Sequence, residues 1–311
     1  IHNFKGEPSY LTKELLPDYW SDISTQTVRV ASNGLTYLAF CDRKTSAYWR
    51  GTYDQAADVL DLNIAKNEKQ LRDFAKQHGM PLGDFIPEWD LTFDPHDNVR
   101  VDFTNRIINT FTLSPYMKAT AKRVTQVPKT IHRVIFNAVG SDQLVYEHFL
   151  NWLAFILQKR DRTGTAWVLH GTEGTGKGVM CNNILRPIFG RPHTTTRRME
   201  ELNEHYNHFM KGSLLVVVDE VQTSALTNER GVMAKMKTFI TDEWIPIRQM
   251  YSNAVECRNY CNWILNSNKP DPVTIPKEDR RHNVAKYQPN KLVITPQDLA
   301  AIERELQAFH D

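Results

Sequence analysis

With 311 residues, 41% hydrophobic and 24% charged, and a formal net charge of +2, the chain has the make-up of a soluble protein with one large domain or two modest ones, too weakly basic to be a nucleic-acid coat. No apolar run reaches the roughly 20 residues that cross a bilayer, the start lacks the basic, apolar and small-residue order of a signal peptide, and Cys41, Cys181, Cys257 and Cys261 are too few for a disulfide framework. An intracellular protein with no membrane anchor is expected, and a first residue of Ile1 rather than Met fits a fragment of a longer polypeptide.

Residues 27–51 carry the β-rich runs TVRV, LTYLAF and SAYWRG, broken at Asn33-Gly34 and Asp42-Arg43. Asn-Gly is a strong hairpin-turn signal, so a small meander is expected. Residues 53–78 read as helical and stop at Gly79-Met80-Pro81, where Gly suits a left-handed cap and Pro blocks continuation. Residues 1–80 are therefore assigned to a small α+β domain. Residues 81–130 are rich in Pro, Asp, Asn and Thr and read as a partly irregular connector, and the domain assigned to it, a connector or helical collar, runs over 81–140.

After Ser141 and Asp142, the run LVYEHFLNWLAFILQKR is apolar nearly all round, as a buried or interface helix should be. Apolar β runs then alternate with helical stretches: AWVLH, residues 177–184, HTTT, residues 199–211, LLVVV, residues 232–241, NYCNWIL and HNVAKY. That alternation predicts an α/β domain over 141–290, built on a parallel sheet covered on both faces. The closing stretch, 291–311, is a helix with Thr295 as N-cap and Pro296 at its first position.

Residues 171–178 read GTEGTGKG between a strand and a helix, the spacing and context of a phosphate-binding loop. Glycines let successive N–H groups turn toward phosphate oxygens, the helix N-terminus adds a favourable dipole, and Lys177 adds charge near the terminal phosphates. The cradle comprises Gly171, Thr172, Glu173, Gly174, Thr175, Gly176, Lys177, Gly178 and Val179. The Ser or Thr whose hydroxyl usually binds magnesium after the lysine is here Gly178. Thr175, water or a backbone group is the candidate substitute.

Residues 214–220, LLVVVDE, form an apolar strand ending in two carboxylates. Asp219 is the candidate holder of Mg2+, and Glu220 is suited to orient or deprotonate attacking water. Residues 262–269, NWILNSNK, make another apolar strand ending in amides, of which Asn268, or else Asn266, is the candidate contact for the terminal phosphate or the lytic water. Asp279-Arg280-Arg281 follows, and in a ring an arginine there can enter a neighbour's nucleotide site. Cys257 with Cys261 lacks a second Cys or His pair at zinc spacing, and His205 with His208 fits a solvated helix face.

Together GTEGTGKG, LLVVVDE, NWILNSNK and DRR resemble the motif series of superfamily 3 helicases, especially the helicase part of phage and large-DNA-virus primase-helicases, over residues 140–290. The resemblance implies an AAA+-like P-loop core that forms a ring, usually a hexamer, hydrolyses ATP between subunits and moves 3′ to 5′ on single-stranded DNA. On this basis Lys177 matches the phosphate lysine, Asp219 and Glu220 the metal and water carboxylates, Asn268 the sensor, and Arg281 the finger, with Arg280 as the alternative. Residues 245–255 match a hairpin that projects into the channel, making Arg248 and Tyr251 candidate DNA contacts by phosphate attraction and stacking. A primase or polymerase unit in the same longer chain, and action inside the host cell of a phage or virus, are implied as well. Two other functions fit parts of the pattern: a nucleotide-dependent ring that loads on DNA without unwinding it, and a small-molecule kinase, which Glu220 and the DRR tripeptide disfavour.

Overall fold

In the computed structural model of the chain, residues 28–80, 82–118, 127–226, 228–248 and 254–309 are described. They fall into two compact units, one ending at Thr110 and the other starting at Phe111.

The first unit is a seven-stranded sheet ordered β4-β3-β2-β5-β7-β6, with β1 also paired to β2. Its strands are β1 (Val28–Val30), β2 (Leu35–Asp42), β3 (Tyr48–Asp54), β4 (Val59–Ile64), β5 (Glu88–Thr92), β6 (Val101–Asp102) and β7 (Ile107–Asn109). Asn33-Gly34 turns the chain as expected: Gly34 has φ 82° and its N–H returns to the Ala31 carbonyl. Residues 53–64, read as the start of a helix, instead finish β3 and form β4, because Asp54 Oδ1 accepts from Ala56 and Ala57 N–H and closes a turn. The helix is confined to α1 (Glu68–Gln77), where Asn67 Oδ1 accepts from Gln70 N–H and Gly79 leaves at φ 64°.

The boundary expected near residue 80 is not where this unit closes. β5, from the segment read as connector, pairs in parallel with both β2 and β7, and Trp89, Leu91, Val101 and Ile108 pack with Leu38 and Phe40 in one core. Short apolar pieces such as LTF and IIN cannot bury a face alone, so their strands become visible only when the meander supplies a partner edge.

The second unit is built on a five-stranded sheet, β14-β8-β13-β10-β9, all parallel. These strands are β8 (Ala166–His170), β9 (Thr194–Arg198), β10 (Leu215–Asp219), β13 (Asn262–Ser267) and β14 (His282–Val284). All of β8 and β13 and most of β10 are buried, as continuous apolar strands covered on two faces require. One face packs against α2 (Lys129–Ala138), α3 (Gln143–Lys159), α4 (residues 177–189) and α6 (Pro296–Gln307); the other packs against α5 (Glu229–Thr241). The helix α4 follows the glycine-rich loop as Lys177–Val179 in α form, Met180–Leu185 in π form and Arg186–Phe189 in α form.

The predicted cap at Thr295 forms, and Asp142 supplies a second that the sequence reading did not assign. Asp142 Oδ1 accepts from Leu144 and Val145 N–H at the head of α3, and Thr295 and Asp298 make a reciprocal capping box at the head of α6. Residues 199–211, expected to be helical, make only 3₁₀ turns at Glu200–Asn203 and His208–Met210. Asn207 explains part of this, because its side chain donates to Pro246 O and accepts from Arg248 N–H, holding the segment against β11 (Trp244–Ile247). β11 pairs antiparallel with β12 (Val255–Arg258) in a separate hairpin.

Candidate nucleotide site

In an open parallel sheet, ligands bind beyond the carboxyl ends of the strands where the connection order reverses. Here β13 lies between β8 and β10, so the ends of three strands stand side by side: His170 leading into the glycine loop, Ser267 leading into Asn268, and Asp219 leading into Glu220.

The loop after β8 takes left-handed backbone at Gly174 (φ 83°) and Gly176 (φ 89°), positions where a side chain would be strained. Lys177 is 7% exposed and folds back into the loop, its Nζ donating to Gly171 O at 3.1 Å, Thr172 O at 3.3 Å and Thr175 Oγ1 at 3.0 Å. Burial lowers the Lys177 pKa, an effect the negative charge of Asp219 opposes. The glycine loop and the carboxylate at the end of β10 lie on either side of β13 at the same end of the sheet. Thr175 is buried and its hydroxyl accepts from Lys177 Nζ. A Cβ built at Gly178 would meet nothing within 4 Å, so the missing hydroxyl reflects composition and not crowding.

Asp219 and Glu220 are both exposed at the strand end. Glu220 adopts φ 56°, a backbone conformation that non-glycine residues avoid, and its N–H is accepted by Asp219 Oδ1 at 3.2 Å. Its carboxylate lies 3.9 Å from Arg198 Nε, a solvent-screened pair with side chains 70% and 69% exposed. The two candidate amides separate cleanly. Asn268 is exposed in the turn beyond β13, whereas Asn266 is buried in the strand and donates to Cys181 Sγ on α4 at 3.5 Å. Burial pushes the Cys181 thiol up to about 12.

The DRR tripeptide sits at the other end of the sheet. Ala166, the first residue of β8, donates its N–H to Arg281 O, so roughly 16 Å of strand, at about 3.3 Å per residue, separates Arg281 from the loop of its own chain. Arg281 Nη1 pairs with Asp279 Oδ2 at 3.3 Å, and His282 Nδ1 lies 3.0 Å from Asp279 Oδ1, with the Asp279 side chain 2% exposed. Despite burial, which pushes the other way, the Arg281 N–H and His282 hold the Asp279 carboxyl below its usual range. Arg280 is exposed. Arg248 is exposed at the end of β11, while Tyr251 lies outside the described residues.

Contacts to the loop come also from residues that no motif marks. The segment after β14 runs alongside the loop: Gln288 N–H donates to His170 O, Thr172 N–H to Gln288 O, and Leu292 N–H to Gly174 O. Asn137, at the end of α2, donates to Thr175 O at 2.9 Å. His170 itself is nearly buried, its ring nitrogens 2.7 Å from Pro270 O and 2.9 Å from Ala285 O.

A domain family of unknown function (DUF5906) matches residues 169–281, from the loop to the DRR tripeptide. Over 179 residues the chain is 36% identical to the DNA primase-polymerase of Nitratiruptor phage NrS-1, covering 58% of this chain and 24% of that protein. Two apo structures of the NrS-1 C-terminal region superpose with TM-scores of 0.74 and 0.72 at 27% and 28% identity, each covering 90% of this chain and 66% and 65% of theirs. The chain is a homologue of that C-terminal region. It spans about a quarter of the curated primase-polymerase and just under two thirds of the solved region. As such a homologue it keeps a mixed α/β fold with a parallel sheet, and among its described residues no helix is long and apolar enough to cross a membrane.

Proposed function

We propose that the chain is a P-loop, AAA+-like ATPase of the superfamily 3 helicase type, forming a ring, usually a hexamer, that moves on single-stranded DNA during phage or viral replication, as the C-terminal part of a primase-helicase or primase-polymerase. The observation that carries this reading is the placement of the Lys177 loop after β8 and of Asp219 at the end of β10 on either side of β13, at one end of a parallel sheet, in a homologue of a phage primase-polymerase.

In this reading the loop amides and Lys177 hold the phosphates of ATP, and the ammonium exchanges loop oxygens for phosphate oxygens. Asp219 is the protein group that would hold Mg2+, which supplies neutralisation of phosphate charge when bound; Gly178 contributes no hydroxyl beside it. Glu220 orients the attacking water and accepts its proton, and its unusual backbone angle sets the carboxylate's direction. Asn268, exposed beside the same strand ends, contacts the terminal phosphate or that water. An arginine at the opposite end of the sheet can serve only a neighbouring protomer's site. Arg280, exposed, suits that role better than Arg281, which is engaged by Asp279. A finger of this kind contributes roughly 10³ to 10⁵ in rate. Arg248 on the hairpin supplies a phosphate contact to DNA, with Tyr251 a stacking partner.

The test is unwinding of forked DNA by the chain, with Lys177→Ala as control, together with mass measurement with and without nucleotide and single-stranded DNA. Unwinding that survives loss of the lysine refutes the mechanism. A second reading, a ring that uses nucleotide to assemble on DNA without separating strands, is favoured by Gly178; ATP-dependent oligomers that never translocate would select it.

A further inference from the structure

We propose that Asn137 and Gln288 are positioning residues that hold the glycine loop in its phosphate-accepting shape, an inference that rests on the ATP-site reading above. The two come from opposite sides of the sequence, Asn137 from α2 before the sheet and Gln288 from the segment after β14, and meet over the loop.

The side chain of Gln288 belongs to a residue only 2% exposed and has every polar atom occupied. The two N–H groups of its Nε2 are shared among Asn137 O and Oδ1, both at 3.1 Å, and Ser141 Oγ at 2.7 Å, while its Oε1 accepts from Asn290 N–H at 3.0 Å. Asn137 Oδ1 is thereby fixed as the acceptor, which commits its Nδ2 to donate to Thr175 O at 2.9 Å, with a longer bond to Asn290 O at 3.4 Å. The main chain of the same segment accepts Thr172 N–H and donates to Gly174 O through Leu292.

The consequence follows from peptide geometry. In a planar trans peptide the C=O and the next N–H point in opposite directions. Holding Thr175 O toward Asn137 turns Gly176 N–H to the other side, and holding Gly174 O toward Leu292 does the same for Thr175 N–H. Both neighbouring glycines are in left-handed backbone, where the chain has the most freedom to rotate these planes. An external amide clamp removes that freedom before the anion arrives, so less order has to be imposed on binding. Gly171 belongs to the same arrangement, since a Cβ there would come within 2.5 Å of Gln288 O.

The experiment uses the full chain and titrates fluorescent mant-ATP with Mg2+, with steady-state hydrolysis and thermal melts alongside. Asn137→Ala, Asn137→Leu and Gln288→Met are each expected to raise the dissociation constant at least tenfold, about 1.4 kcal/mol. KM should rise in parallel while kcat at saturation stays within threefold of wild type, a split that a purely structural defect does not produce. The double variant should bind about as weakly as either single one, because both act through one network. Folded variants that bind within twofold of wild type overturn the proposal, and so does a fall in kcat at unchanged affinity. If Asn137→Ala fails to fold, the near-isosteric Asn137→Leu and Gln288→Met decide, and failure of those to fold also overturns it, since the pair would then be a determinant of the fold alone. Lys177→Ala separates the two levels: wild-type affinity in that variant removes the site reading itself, whereas lost affinity there with normal binding by Gln288→Met removes only the clamp.

Discussion

Helix α2 carries Asn137 at one end and is held at the other by a residue far along the chain, which makes Glu305→Ala an informative perturbation. The N-cap position of α2 is Pro128, which has no capping side chain, and Glu305 of α6 takes its place. The carboxylate accepts from Thr130 N–H at 2.9 and 3.0 Å and from Ile131 N–H at 2.8 Å. Losing a cap costs about 0.5–2 kcal/mol and losing hydrogen bonds to a charged acceptor about 1.5–3 kcal/mol, so a loss of about 2 kcal/mol is expected. In a unit of this size that lowers Tm by about 4–8 °C, at about 2–4 °C per kcal/mol. Burial pushes the Glu305 pKa up, but the N–H bonds from Ile131 and Thr130 outweigh it and leave the carboxyl below its ordinary value. The stabilisation is therefore complete above the unfolded-state pKa of about 4.3 and is lost as pH falls through the lower folded-state value. Calorimetry of wild type, Glu305→Ala and Glu305→Gln at neutral pH and again below pH 4 should show a gap that closes in acid, with Gln intermediate. Equal Tm at neutral pH, or a gap that persists unchanged in acid, would refute the cap.

Four further outcomes are expected. Arg281→Ala removes a partner of the buried Asp279 and should cost about 3 kcal/mol, the low end for breaking a buried pair because the Arg281 side chain is still 29% exposed; an unchanged Tm contradicts this. Arg280→Ala should leave Tm unchanged yet reduce ATP hydrolysis by the oligomer about 10³-fold, and full activity in a mixed or homogeneous ring would exclude it as the finger. Gly178→Ser adds a hydroxyl where space is open, so Mg-ATP should bind more tightly with no loss of Tm, and weaker binding would show that Gly178 serves the loop's shape. With burial holding the Cys181 thiol near 12, native-state alkylation at pH 8 should spare it while reaching part-exposed Cys257, as mass spectrometry of the labelled peptides can check; equal rates would mean the core opens there.

The strands AWVLH, LLVVV and NWIL, the cap at Thr295, and the glycine loop itself were legible because each is encoded by neighbours in sequence: runs of buried apolar residues, a capping side chain three positions from its N–H, glycines where the chain must turn. The helix expected over 53–64 was misread because VLDLNI alternates over only six residues, and its partner edge on β3 is what makes it a strand. The same holds for β5, β6 and β7, which acquire a core only from β2 and from one another. What the sequence could not contain was the meeting of Asn137 with Gln288, or of Glu305 with the head of α2, since those partners stand 151 and 174 to 175 positions apart and no local pattern couples them. Local chemistry marked the glycine loop and the buried strands; only the packed sheet, by placing β13 between β8 and β10, brought the loop and the carboxylates to one end and set which amides hold the loop.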